Sequence, residues 1–416
     1  MQRRSVRGSR LVGVCVMLGI PEALFLASGL ARHHIGTDFG VFYAASRLVH
    51  SGELAAISTP ASLTAAAEAV LGRSLEGGVT YPWPYPPTAL LVVFPLAFLS
   101  LWPAYLAAMS LGVAAYLSSM VALVRHAGSK AEAVLVLLAF PGVAAVIVWG
   151  HSSFVTTALL GWAIALLPAS PVLAGCAVGL LSFKPHLGVL VPVALLAGRH
   201  RIAALSAAAT AVVLAGVATI AFGWQTWASF LQAAPLMVTR VEVAAATNRF
   251  YQSAFSAVRL AGGGVTAAWV AQGIVAIAAA WVVWRTWSAD GSWEQKGTVL
   301  VLATVLATPY LCEYDLLLLA IPIALGLGAA LDGRWPWMGV VVAALLTPAI
   351  APACARLAGL AIAPCVAAAL LWAVQRSGRG RRARSPLATE RAMSPELTRG
   401  ARRLSERPRA RSSDPR

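Results

Sequence analysis

Apolar runs long enough to cross a bilayer recur along all 416 residues, divided by short breaks that carry Pro, Gly or charge. The fullest lie at 11–31, 102–124, 131–149, 202–222 and 265–287, and others follow at 154–167, 172–183, 187–197, 297–310, 316–331, 337–351 and 357–374. In hydrocarbon every backbone N–H and C=O must be paired within the protein, so only helices or a closed barrel can span. Barrel strands read as short segments of alternating hydropathy, and these runs do not alternate. Only 12% of residues are charged and the mean hydropathy is +0.75, where a soluble chain runs near a quarter charged. The chain reads as an all-α polytopic membrane protein.

Charge sets the expected topology. Arg3, Arg4, Arg7 and Arg10 precede the first run. That run exceeds a usual signal-peptide core, so it reads as a retained helix with its N-terminus inside. Residues 376–416 hold thirteen Arg against four acids, nine of the sixteen net positive charges. This segment has nothing to bury and reads as a disordered cytoplasmic tail against anionic membrane lipid, with no nucleic acid as partner. Counting back from it, 332–334 falls inside, Glu313-Tyr314-Asp315 outside, and the basic Arg199-His200-Arg201 inside. The count is about twelve crossings with both termini inside, and one short piece between 86 and 150 does not cross. The expected organisation is a transmembrane domain over 1–375, with two long extracytoplasmic segments at 32–87 and 223–264. The setting it fits is a bacterial inner membrane, with those segments on the periplasmic side.

The first outer segment has order of its own. Phe39, Phe42, Tyr43, Leu48 and Val49 recur at helical spacing, and 62–71 is Ala-rich, so two short helices along the membrane surface are expected. The segment ends Tyr-Pro-Trp-Pro-Tyr-Pro-Pro at 81–87, whose prolines force extended backbone and forbid a helix until Thr88. This is either an interfacial elbow or a surface that touches substrate.

The topology gathers the unusual polar residues on one face: Asp38, Tyr81, Tyr85, His151, Lys184, His186, Arg249, Tyr251, Glu313 and Asp315. An ionisable group among apolar runs needs a partner or a ligand. Lys184 either pairs with Asp315 or Glu313 to hold helices together, or grips a phosphate with an Arg of 223–264, Arg249 first. Asp38 is either a helix N-cap or a general base that takes a proton from an acceptor hydroxyl as a lipid-linked phosphate leaves. His151 reads equally as a satisfied polar residue at a helix end. The cysteines, Cys15, Cys176, Cys312, Cys354 and Cys365, lack metal-ligand spacing, and no metal or cofactor is called for. Gly-rich phosphate loops, His-Glu-x-x-His and Gly-x-Ser-x-Gly are missing, so soluble nucleotide chemistry has no support.

Several stretches together resemble glycosyltransferase family 87 over roughly 30–330. They are Asp38 with Phe42-Tyr43-Ala44-Ala45 and Gly52; Tyr85-Pro86-Pro87; Gly150-His151-Ser152-Ser153, where the family has Gly-Gln-Asn; Lys184-Pro185-His186-Leu187-Gly188; and Ala307-Thr308-Pro309-Tyr310 with Tyr314-Asp315-Leu316. The resemblance implies a GT-C type membrane enzyme with an extracytoplasmic site. It would take a hexose, often mannose, from a polyprenyl-phosphate sugar to a lipid or glycan acceptor with inversion, and Asp38 matches the expected base. The alternative reading is a transporter or flippase of a lipid-linked sugar.

Overall fold

The computed structural model describes residues 27, 35–75, 80–124, 130–247, 250–331 and 337–383. The expected first helix at 11–31, the turn at 332–334, Arg249 and the tail beyond Ala383 lie outside these residues. Among the described residues the fold is helical, with one isolated antiparallel bridge, Tyr251 to Cys312.

Among the described residues five helices are long and apolar enough to cross a membrane: Leu101–Leu123, Arg201–Phe222, Val265–Trp287, Glu313–Ala330 and Trp337–Ala358. A sixth span results if Ala131–Leu138 and Pro141–Trp149 count as one, bent by 53°. The bend falls where Pro141 removes a backbone donor and its ring blocks the preceding turn. Several runs expected to cross form helices of only 10–17 residues, such as Ser153–Leu166, Pro171–Phe183 and Pro185–Ala197. Proline starts two of these three, and Pro168 closes the third within two residues of its end.

The Glu313–Ala330 helix lies at the centre, with every residue buried. It opens as a 3-10 turn, Glu313–Leu319, and continues as Ala320–Leu331. Around it pack the Trp337–Ala358, Trp293–Ala307, Ser153–Leu166 and Pro141–Trp149 helices. Their apolar faces fill one continuous core, whose burial and packing hold a bundle in which lipid competes for the same surfaces. On one flank Pro171–Leu180 crosses Arg201–Phe222 closely. A Cβ on Gly175 would sit 2.3 Å from the Ala203 carbonyl oxygen and one on Gly179 2.7 Å from that of Ala207, so only glycine permits the crossing.

Two expectations about local structure change. The Thr37–His50 helix does not lie along a surface: Thr37 and Phe39–Ser46 are buried, because its aromatic residues sit on more than one face. Phe39 packs edge-on to Tyr105 at 5.4 Å, while Phe42 meets Trp83 at 6.1 Å. The last helix, Ala363–Ala383, runs through Arg376, the expected start of the tail, since no Pro intervenes before Pro386. Between 81 and 87 the chain forms no helix, turning at Pro87, and a helix begins at Thr88 as the prolines require.

Candidate active site

Gly150 fixes the geometry of the site. It ends the Pro141–Trp149 helix at φ 69°, and a Cβ there would meet the Cβ of Phe39 at 2.6 Å. Glycine is needed for both reasons. The close approach lets the Gly36 N–H donate to the Val148 carbonyl at 2.8 Å, which ties the start of the Asp38 helix to the chain leading into His151.

Asp38 stands in the first turn of Thr37–His50. The cap position belongs to Gly36 in left-handed conformation, so Asp38 is not the N-cap. Asp38 is part-buried, between fully buried neighbours Thr37 and Phe39. Among the described residues no hydrogen bond or ion pair reaches it. Burial pushes its pKa up to about 7; the Lys184 cation opposes this, and the Asp315 and Glu313 carboxylates add to it.

Behind Asp38 runs a chain of polar contacts whose proton positions can be read. Ser153 Oγ donates its single proton to Asp315 Oδ1 at 2.9 Å. It can then only accept from His151 Nδ1, 2.9 Å away. The proton therefore sits on Nδ1, and Nε2 accepts from the Tyr85 hydroxyl at 3.1 Å. Burial and the nearby Lys184 cation hold the His151 pKa well below its ordinary range, which agrees with a neutral ring of fixed tautomer. That ring stacks on Tyr314 with centroids 3.7 Å apart.

Lys184 ends the chain. Its Nζ donates to Asp315 Oδ1 at 2.7 Å with both side chains closed to solvent, and Asp315 Oδ2 accepts the Cys312 N–H at 3.2 Å. Lys184 thus has the carboxylate partner that a helix-joining role requires, and both Asp315 oxygens are occupied. Glu313 faces away from this pair, accepting from Trp149 Nε1 at 2.9 Å and pairing with Arg356.

The remaining candidates line the same region. Tyr81 donates its N–H to Thr64 Oγ1 at 2.7 Å, and the Arg240 guanidinium lies 5.6 Å from its ring while bonding the Thr80 carbonyl. Tyr251 is buried against Tyr310 at 5.4 Å. The His186 carbonyl accepts from Thr308 Oγ1 at 3.2 Å, and its ring meets Tyr310 at 6.0 Å. His186 Nε2, Trp83 Nε1 and Ser182 Oγ are buried with no protein partner among the described residues. Like Asp38, they are polar groups that the described residues leave without a hydrogen-bond partner, and such groups mark where a polar ligand can complete the bonding.

Several partners escaped sequence reasoning. Ser153, Tyr314 and Arg356 carry no motif of their own, and Arg240 differs from other basic residues of its segment only in where the fold puts it. Ser153 alone left a trace, two residues after His151 in Gly-His-Ser-Ser.

No protein of curated function and no solved structure matches the chain. The family profile of glycosyltransferase family 87 matches residues 83–309, more than half of the chain. That stretch holds Tyr85, His151, Lys184, His186 and Tyr251, whereas Asp38, Glu313 and Asp315 fall outside it. With helices that can span a membrane and buried polar side chains bonded between them, the chain belongs to glycosyltransferase family 87.

Proposed function

We propose that the protein transfers a hexose, mannose first among candidates, from a polyprenyl-phosphate sugar to a lipid or glycan acceptor. Asp38 is the general base of this reaction. It takes the proton of the acceptor hydroxyl as that oxygen bonds the anomeric carbon, and the carbon–oxygen bond to the phosphate breaks on the opposite face. The configuration inverts, and polyprenyl phosphate leaves. One observation carries the reading: among the described residues Asp38 is a part-buried carboxylate without a hydrogen-bond or ion-pair partner, with a pKa of about 7, in a site with other polar groups left unsatisfied. A base poised near neutrality both accepts a proton and exists ionised at working pH.

The other residues take supporting roles. Tyr85, held by His151, and Trp83 shape the wall of the site. The Lys184–Asp315 pair fixes the floor, and the Lys184 cation favours an anionic ligand near it. Arg240 beside Tyr81 is the open cation best placed to meet the donor phosphate, and Arg249 belongs to the same segment. A GT-C type arrangement of about twelve crossings suits the chain, the short apolar helices pairing to complete the span. The positive-inside distribution puts the site on the extracytoplasmic face of a bacterial plasma membrane.

Incubation of the purified protein with labelled polyprenyl-phosphate-mannose and a membrane lipid extract tests the reading. Release of polyprenyl phosphate together with a new labelled product supports it. An intact donor with every acceptor, under conditions where reconstituted protein moves the donor between leaflets, would make the protein a transporter instead.

A further inference from the structure

A recess lies far from Asp38, between the Val265–Trp287, Trp293–Ala307 and Ala363–Ala383 helices. It encloses about 720 Å³, and its width comes from small side chains, Ala271, Ala278, Ala279 and Ala368 among them. From Ala271 to Arg285 the groove follows about 21 Å of helix, more than the ~15 Å depth of one leaflet.

Its two ends differ. Near Ala254 and Leu306 it is apolar, and there Gln272 locks the helices by donating to the Leu306 and Ala307 carbonyls, each at 3.0 Å. This is the end nearest the candidate active site, since the Gln252 N–H donates to the Leu311 carbonyl at 2.8 Å. The far end is polar. There Gln375 Nε2 donates to Thr286 Oγ1 at 2.6 Å and Gln295 Nε2 to the Val374 carbonyl at 3.3 Å, which closes the floor. The Arg285 guanidinium lies over the Trp281 ring at 4.9 Å, and Arg376 over Trp372 at 3.9 Å. Among the described residues neither arginine has an ion-pair partner. The Asp290 carboxylate on the same rim has an interaction of its own. Trp281, Trp284 and Trp372 are all at least half exposed here, the placement of an aromatic belt at headgroup level.

We infer that this groove holds an acyl chain of an anionic phospholipid, its phosphate against Arg285 and Arg376, in the leaflet opposite Asp38. A long apolar slot between spanning helices suits a chain, and two cations beside interfacial tryptophans suit a phosphate. The donor substrate fits less well: its phosphate belongs at the Asp38 end, and its tail would leave both arginines without an anion.

The test is native mass spectrometry of the full chain in detergent, with dioleoyl phosphatidylglycerol or dioleoyl phosphatidylcholine, whose chains are identical. Wild type retains the anionic lipid in excess, and each arginine removed, in Arg285→Gln and Arg376→Gln, lowers that retention by about fivefold. Ala278→Phe blocks the slot and lowers retention of both lipids. Ala368→Phe, on the facing helix, does the same should the first variant fold poorly. Equal retention of the two lipids by wild type, or no effect of either arginine variant, overturns the inference. Displacement of phosphatidylglycerol by polyprenyl phosphate, with retention of the latter insensitive to Arg285→Gln, would assign the groove to the donor tail.

Discussion

Replacing Asp38 with Asn should stabilise the protein at alkaline pH while abolishing transfer. The Asp38 pKa rises from 3.8 to about 7 in the fold, chiefly through burial. A raised carboxylate pKa means that the folded protein binds the proton more tightly than the unfolded chain does. Stability is therefore full below about pH 4, declines as pH rises toward 7, and is level above that. About three pH units at ~1.4 kcal/mol each set an upper value of ~4 kcal/mol for the cost of keeping the ionised group folded. Residual solvent contact lowers this to about 2–4 kcal/mol. The Asn variant is nearly isosteric and cannot ionise, so it escapes that cost. Denaturant titration in detergent, followed by tryptophan fluorescence at pH 5 and pH 8, measures it: Asn gains on wild type at pH 8 and keeps less than half of that advantage at pH 5. Transfer by wild type should rise with pH up to about 7 and then level off. If Asn destabilises equally at both pH values, Asp38 is held by a favourable structural contact and the argument from its unpaired carboxylate fails. Full transfer by a stable Asn variant would end the base assignment alone.

Lys184→Met leaves Asp315 buried without its cation and should cost about 3–5 kcal/mol, much of it recovered in Lys184→Met/Asp315→Leu; equilibrium unfolding of both distinguishes a helix-joining pair from a dispensable one. Ser153→Ala severs the link between His151 and Asp315 and should cost about 1–3 kcal/mol, whereas Ser152→Ala next to it should be near neutral in the same assay. Gly150→Ala should lower both stability and transfer, because its φ of 69° and the Phe39 overlap resist a Cβ; Gly52→Ala, at φ 78° with open space around it, should cost stability by about 1 kcal/mol and leave transfer intact.

Fold class was legible because the bilayer leaves so few solutions: apolar runs with rare charge can only be helices. The helix-free stretch at 81–87 was equally plain, since proline restricts its own backbone and that of its neighbour. Depth of burial was not. Nothing local in Thr37–His50 announces that it sits inside the protein, because Trp83, Tyr85 and Tyr105, which cover it, come from distant segments. The site was legible as a set of residue types and not as a set of bonds. Lys184 and Asp315 each stood out as charges among apolar residues, and pairing them was one of two open readings until their helix ends were brought together. Arg356 could not be matched to Glu313 from sequence, since a last-turn arginine usually faces headgroups.

The Lys184–Asp315 pair also bears on how the protein is made. The two residues are 131 positions apart, so Lys184 emerges from the ribosome and meets the membrane well before its partner exists. Until the later helix arrives, the ammonium has to be kept at the bilayer edge or shielded by the insertion machinery. The same holds in sequence for Glu313, whose partner Arg356 follows 43 residues later. Closure of the bundle is thus timed by synthesis: the amino-terminal half cannot settle until the central helix delivers its acids, nor the central helix until the next one delivers its arginine. A nascent chain stopped between 184 and 315 carries the ammonium without the carboxylate that bonds it in the fold, and this is the kind of defect that membrane quality control recognises.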